Sequence, residues 1–189
     1  DIIEGTIEIS AEPSEPTNKS ITVTICWPSG SGNATKEISS NGGEKYTVVN
    51  GTKTTLTLNN NCVVKARIKN SVSEIKTATL NITNIDKLSP NTFTPGVTTT
   101  SNSITVTGST TDKTATETNA SSGIKGYYFS KDNGSTWQNN STLTNNSYTY
   151  TGLTQGTTYT IKMKAVDKAG NETITESKIA TTVNIVGLG

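Results

Sequence analysis

The chain has 189 residues, a formal net charge of +1 and a hydrophobic fraction of 30%. This length fits one large domain or two domains of the commonest size. A near-neutral charge without a dense Lys/Arg patch speaks against nucleic acid or an anionic membrane as the main partner, and no apolar run approaches the roughly 20 residues of a membrane span.

The composition favours β-structure. About a fifth of the chain is Thr, which is β-branched and suits strands, and about a tenth is Asn, which tolerates the geometry of tight turns. A low hydrophobic fraction also occurs in disordered chains, but those carry a larger net charge than +1. We therefore predict folded sheets joined by polar turns.

Seven strand-like segments occur in the first half, separated by turns rich in Pro, Gly and Asn. They are Thr6 to Ser10, Ser20 to Trp27, Ala34 to Ser39, Lys45 to Val49, Thr54 to Leu58, Cys62 to Lys69 and Ile75 to Thr83. Seven short strands at this spacing are typical of a β-sandwich. No segment of the chain has a sustained apolar repeat of three to four residues, so helices should be absent or short.

The two cysteines, Cys26 and Cys62, could form an inter-sheet disulfide or remain free thiols. Strict alternation over residues 21–27 directs Ile21, Val23, Ile25 and Trp27 inward. The same alternation turns Cys26 outward, whereas Cys62 is in phase with the inward residue Val64. Opposite phases favour two free thiols.

The second half contains five further strand-like segments: Ser103 to Thr107, Ile124 to Ser130, Ser147 to Thr151, Thr157 to Val166 and Thr173 to Val183. The clearest of them alternates regularly, with Tyr159, Ile161, Met163 and Ala165 predicted to face inward and the residues between them outward.

The two halves repeat one pattern. Ser20–Thr24 and Ser103–Thr107 have the same sequence, and Ser39–Tyr46 aligns with Ser130–Trp137. The offset between equivalent residues is 83 at Ile104, 91 at residue 132 and 99 at Ala165, which implies two insertions in the second copy, near residues 111–121 and 139–146. We predict two modules of one kind, covering residues 1–85 and 86–189.

Leu153–Tyr159, followed by Lys164–Asn171, resembles the corner and turn around the sixth strand of bacterial fibronectin type III and related Ig-like domains. The resemblance implies two tandem all-β sandwiches of the Ig-like or fibronectin type III-like class, in which the Tyr159 hydroxyl closes the corner by a hydrogen bond to backbone. The first copy departs from the pattern at Cys62 and Val72, and resembles a diverged Ig-like relative.

The string Ser130-x-Asp132-x-Gly134-x-Thr136-Trp137 resembles the Asp-box of sialidase propellers. There the motif braces a hairpin away from the active site: the carboxylate accepts backbone N–H bonds and Gly supplies a positive φ. The repeated four-stranded blades of a propeller are missing from this sequence. We therefore assign Asp132, Gly134 and Trp137 to folding.

The chain contains no His, which excludes a Ser-His-Asp or Cys-His catalytic device within it. Glu12 and Glu15 flank a Pro-rich loop, and we interpret them as solvated loop charges and not as a catalytic carboxylate pair. We predict no enzyme activity, no catalytic or cofactor-binding residue, no cofactor and no metal. A calcium site involving Asp86 and a Lys–Asn isopeptide crosslink remain open alternatives.

Domains of this resemblance occur in bacterial surface proteins, secreted polysaccharide-degrading enzymes and phage tail proteins. The first residues lack the features of a signal peptide, and we expect the stretch to belong to a longer extracellular or cell-surface protein. We predict a monomeric, non-catalytic spacer whose partners are neighbouring domains, without nucleic-acid binding or membrane insertion.

Two alternatives remain, because fold alone does not decide function. One is adhesion to carbohydrate or host protein through loop tips, with Tyr148 and Tyr150 as anchors; these two share one face of a strand, so core packing competes with that reading. The other is an accessory region of a secreted polysaccharide-degrading enzyme.

Overall fold

The computed structural model describes residues 3–30 and 33–185. These residues form fourteen β-strands and no helix, so none of them lies in a helix long and apolar enough to cross a membrane. The all-β class predicted from the sequence is confirmed.

The contacts divide the chain into two compact units. The first module comprises Asp1–Lys87 together with Thr114–Ala120, and the second comprises Leu88–Lys113 and Ser121–Gly189. The predicted boundary followed residue 85 and left all of residues 86–189 in the second module. In the structure, a short segment from within the first predicted insertion belongs to the first module instead.

The first module consists of two antiparallel sheets. Its strands are β1 (Glu8–Glu12), β2 (Ile21–Cys26), β3 (Thr35–Ser39), β4 (Thr47–Val49), β5 (Lys53–Leu58), β6 (Cys62–Lys69) and β7 (Glu74–Ile82). One sheet has the order β1-β2-β5 and the other β4-β3-β6-β7. All seven predicted strands are present, with ends shifted by a few residues.

The core of the first module is aliphatic with one tryptophan. The residues predicted to face inward from β2 and just beyond it are buried: Ile21, Val23, Ile25 and Trp27 are at most 6% exposed. From the other sheet, β6 contributes Val64, Ala66 and Ile68, which are also buried. The indole N–H of Trp27 donates to Thr54 Oγ1 at 2.9 Å, so its polar end is satisfied.

The second module also has seven strands in two sheets. They are β8 (Gly96–Thr99), β9 (Ile104–Thr107), β10 (Ile124–Ser130), β11 (Ser147–Tyr150), β12 (Thr158–Asp167), β13 (Glu172–Ile174) and β14 (Lys178–Thr181). One sheet has the order β11-β9-β8; in the other, β12 pairs with β10 on one side and with β13 and β14 on the other. Its core is aromatic, since Phe129, Tyr127 and Tyr150 pack with Ile161 and Met163.

Two strand predictions for the second module were incomplete. The segment predicted as one strand from Thr173 to Val183 is divided into β13 and β14. The division lies at Thr175, whose side chain as well as its backbone is hydrogen-bonded to Met163 of β12. Its N–H donates to Met163 O at 2.9 Å, and its Oγ1 accepts from Met163 N at 3.0 Å. The prediction omitted β8, in which Val97 is the only large apolar residue and gives no alternation to detect.

Candidate functional site

The hairpin after β10 is braced by the Ser-Asp pair singled out from the sequence. Ser130 Oγ donates to Asp132 Oδ1 at 2.7 Å and accepts from Gly134 N at 2.8 Å. The Asp132 carboxylate also accepts from Thr136 N at 2.8 Å and Thr136 Oγ1 at 2.5 Å. Hydrogen bonds from the side chain and backbone of Thr136, then from Ser130, lower the pKa of Asp132 from 3.8 to about 2. This carboxylate holds its own turn in shape.

The first module contains the same brace in the hairpin after β3. Ser39 Oγ donates to Asn41 Oδ1 at 2.7 Å and accepts from Gly43 N at 3.0 Å, and Asn41 Oδ1 accepts from Lys45 N at 3.0 Å. An amide oxygen can replace the carboxylate because these contacts need only an acceptor. The geometry of the turn therefore repeats between the modules, although the charge of its central residue does not.

The aromatic residue that ends each brace lies against a cation. Lys164 Nζ is 4.7 Å from the ring centroid of Trp137 and 5.3 Å from that of Tyr128. In the first module, the guanidinium carbon of Arg67 is 3.6 Å from the ring centroid of Tyr46. Cation–π contacts of this kind stabilise the sheet face and occupy one side of each ring.

The corner hydrogen bond predicted for Tyr159 does not form among the described residues. Its ring packs, half-buried, against the core, with Lys131 Nζ 5.7 Å from its centroid. Tyr127 makes a hydroxyl-to-backbone brace instead: its hydroxyl accepts from Thr110 N at 3.0 Å and donates to Thr110 O at 3.2 Å. Tyr127 was not among the residues singled out from the sequence, because nothing in the sequence identifies Thr110 as its partner.

The two tyrosines considered as binding anchors pack into the second core. Tyr150 is 6% exposed, and its hydroxyl donates to Gln138 Oε1 at 2.7 Å. The ring centroid of Tyr148 lies 4.8 Å from that of Tyr150 and 5.4 Å from that of Phe129. Burial, followed by the interactions with Tyr148 and Asp132, raises the pKa of Tyr150. This arrangement favours the core-packing alternative.

The first module has an open cavity of about 380 Å³ beside Cys62. Part of its wall is the segment Thr114–Ala120, which is held to the module by backbone bonds from Asn61 N to Thr118 O at 2.9 Å and from Ala120 N to Ile85 O at 2.7 Å. Burial raises the pKa of the Cys62 thiol, which therefore stays protonated near neutral pH. Cys62 and the exposed Cys26 are both free thiols.

Acidic side chains anchor two loops of the second module. Asp112 Oδ2 accepts from Gly123 N at 2.8 Å. Asp167 is fully buried, and its Oδ1 accepts from Ala169 N at 3.0 Å and from Asn171 N at 2.8 Å. Carboxylates that accept backbone N–H bonds are strong local constraints on a loop.

No family model matches this chain, and no curated protein matches it. Among solved structures, domains A168-A170 from titin match with a TM-score of 0.59 and 15% identity over 95% of this chain and 67% of that chain. The chicken CNTN1 FN1-FN3 domains match with a TM-score of 0.44 and 15% identity over 97% of this chain and 69% of that chain. The titin likeness agrees with the sheet orders above: the fold is a tandem pair of Ig-like or fibronectin type III-like β-sandwiches.

Proposed function

We propose that the chain is a non-catalytic pair of spacer modules in a larger bacterial surface or secreted protein. Ig-like and fibronectin type III-like domains are typically structural or binding modules without catalysis. The observation that carries the proposal is that the side chains singled out from the sequence have structural roles. Asp132 and Gly134 brace a hairpin, and Tyr148 and Tyr150 pack into a core.

The outward faces of the sheets support a spacer role as well. Thr105 Oγ1 and Thr149 Oγ1 are 3.0 Å apart across neighbouring strands, and Thr158 Oγ1 and Thr181 Oγ1 are 2.9 Å apart. Cross-strand Thr pairs stabilise a sheet while keeping its surface polar. A module that separates other domains has to stay folded without offering an adhesive face of its own.

The setting of the proposed spacer rests on the resemblance of Leu153–Asn171 to bacterial fibronectin type III domains. From it we infer an extracellular or cell-surface location, a monomeric state and neighbouring domains of a longer chain as the partners. Carbohydrate or host protein would be the partner if the modules are adhesive.

A binding screen separates the spacer from the adhesin. The purified chain is applied to a glycan array and to whole cells, together with Trp137→Ala, which alters an aromatic residue of the sheet face, and Ile179→Ala, which alters an exposed residue of β14. A spacer shows no saturable binding. An adhesin would show saturable binding that is lost in Trp137→Ala and kept in Ile179→Ala, and this result would contradict the spacer proposal.

Pulling single molecules by their ends tests the spacer role positively. We expect two separate unfolding events, each releasing roughly 3.3 to 3.6 Å of length per unfolded residue. A single event, or gradual extension without a force peak, would contradict two separately folded spacer modules.

A further inference from the structure

Three Asn-Gly pairs occur in the chain: Asn41-Gly42, Asn50-Gly51 and Asn133-Gly134. In such a pair, the deprotonated glycine nitrogen can attack the asparagine side-chain amide carbon. Ammonia leaves, a five-membered succinimide forms, and water opens that ring to aspartate or isoaspartate. Glycine allows the approach because it has no Cβ. The sequence by itself does not rank the three pairs.

The pair Asn41-Gly42 is restrained at both reacting groups. Gly42 N, the nucleophile, donates to Val63 O at 3.0 Å. The Asn41 side chain is held by its bonds from Ser39 Oγ at 2.7 Å and Lys45 N at 3.0 Å. Attack would break hydrogen bonds on both sides of the new C–N bond.

The pair Asn133-Gly134 is restrained in the same way. Gly134 N donates to Ser130 Oγ at 2.8 Å, and Asn133 Oδ1 accepts from Ser177 Oγ at 2.8 Å. In addition, Asn133 N donates to Thr160 O at 3.0 Å, which fixes the backbone on the other side of the residue.

The pair Asn50-Gly51 lies in the exposed turn between β4 and β5. Within residues 3–30 and 33–185, no hydrogen bond engages Gly51 N or the Asn50 side chain. The space where a Cβ would lie is open at Gly51 as it is at Gly42, so the hydrogen bonds and not the free space distinguish these two pairs. Lys36 Nζ donates to Gly51 O at 2.5 Å, a contact to the carbonyl of Gly51 and not to the nitrogen that attacks.

We propose that Asn50 is the site at which the folded chain deamidates, with water as the co-reactant and ammonia as the leaving group. The product carries a carboxylate at residue 50, in the turn whose Gly51 O accepts from Lys36 Nζ, and reduces the formal net charge of +1 by one unit. Where isoaspartate forms, the main chain gains a methylene group directly after β4, a three-residue edge strand. The modification therefore loosens one edge of the first module.

The test is peptide mapping by mass spectrometry after the intact chain has been incubated at mildly alkaline pH. The gain in mass from replacing an amide NH₂ by OH is measured at all three pairs, which serve as controls for one another. We expect conversion at Asn50 to exceed that at Asn41 and Asn133 by roughly tenfold or more, since the other two sites must lose hydrogen bonds and reorient before attack. Equal conversion, or faster conversion at Asn41 or Asn133, overturns the proposal.

Two controls test whether the fold is the cause. In denaturant, the ratio of conversion at Asn50 to conversion at the other two sites should fall to a few-fold at most. An undiminished ratio would mean that the local sequence, not the structure, sets the rate of deamidation. Ser177→Ala removes the bond to Asn133 Oδ1 at an exposed position and should raise conversion at Asn133 alone. An unchanged rate at Asn133 together with a persistent preference in denaturant would reject the structural explanation.

Discussion

The two modules form the same kind of sandwich around differently built cores. At the end of β2 the first module buries Trp27, and the equivalent residue at the end of β9 is Thr110. The second module supplies aromatic bulk from β10 instead, and the Tyr127 hydroxyl binds the backbone of Thr110. In related sandwiches, the large core residues can therefore come from either sheet, provided that the total volume of the core is conserved and each buried polar group keeps a hydrogen-bond partner.

The hairpin brace does not change with the core. Its hydrogen bonds join residues at most four positions apart, and the Ser-to-Asx distance is 2.7 Å in both modules. Local contacts of this kind depend on the sequence of the turn alone, so they persist while the packing behind them diverges.

Each module contains one tryptophan, Trp27 in the first and Trp137 in the second, so fluorescence of Trp137→Phe and of Trp27→Phe follows the two unfolding transitions one at a time. Each of the following comparisons changes equivalent or matched positions and measures unfolding in denaturant.

The largest difference is expected between Phe129→Ala and Ile38→Ala, which occupy equivalent positions in β10 and β3. Phe129 is fully buried, whereas Ile38 is only partly buried. We expect a loss of about 4 kcal/mol for Phe129→Ala, because a large cavity forms, and about 1 to 2 kcal/mol for Ile38→Ala. Equal losses would mean that the aromatic core is no more tightly packed than the aliphatic one.

The second comparison concerns Gly126, where the second insertion packs onto β10. A Cβ at Gly126 would lie 2.3 Å from Leu143 Cγ and 2.5 Å from Leu143 O, and a main-chain oxygen cannot move aside cheaply. Gly126→Ala should cost about 2 to 3 kcal/mol. Thr35→Ala, at the equivalent position of β3, should cost less than about 1 kcal/mol. If Gly126→Ala caused no loss of stability, the loop that contains Leu143 would have to be able to move away from β10.

The third comparison decides which tyrosine braces the second module. Tyr127→Phe leaves Thr110 N and Thr110 O without their partner and should cost about 1 to 3 kcal/mol. Tyr159→Phe removes a hydroxyl that has no hydrogen bond among the described residues, and should change stability by about 0.5 kcal/mol or less. The reverse order of losses would restore the corner role to Tyr159.

The smallest effect is a pH dependence confined to one brace. The folded pKa of Asp132, about 2, lies below its ordinary value of 3.8, so its stabilising contribution is complete above pH 3.8 and is lost as the pH falls toward 2. Asp132→Asn should remove that part of the acid sensitivity reported by Trp137. The Asn41 brace should contribute none to the transition reported by Trp27. Identical acid profiles of the wild-type chain and Asp132→Asn would contradict this.

The sequence predicted the strands well where buried and exposed residues alternate. It predicted less well those features that depend on contacts between distant parts of the chain. The inward set of β2 and β12 followed from a two-residue period, because one face of each strand meets the core. The corner bond predicted for Tyr159 is absent among the described residues and Tyr127 makes such a bond instead, because a hydroxyl bond depends on which distant backbone comes within reach. Thr114–Ala120 was recognised as part of an insertion, but its polar sequence gave no sign that it completes the first module.

The sequence by itself determined the all-β class, the two related modules, the alternation of the core strands and the hairpin braces. All of these depend on residues that are close in the chain or on a simple period. Only the tertiary structure decided which tyrosine braces the second core, why a side chain at Gly126 would collide with Leu143, and which of the three Asn-Gly pairs has no hydrogen bond on its reacting groups within residues 3–30 and 33–185. Those outcomes depend on atoms that folding brings together from distant parts of the chain.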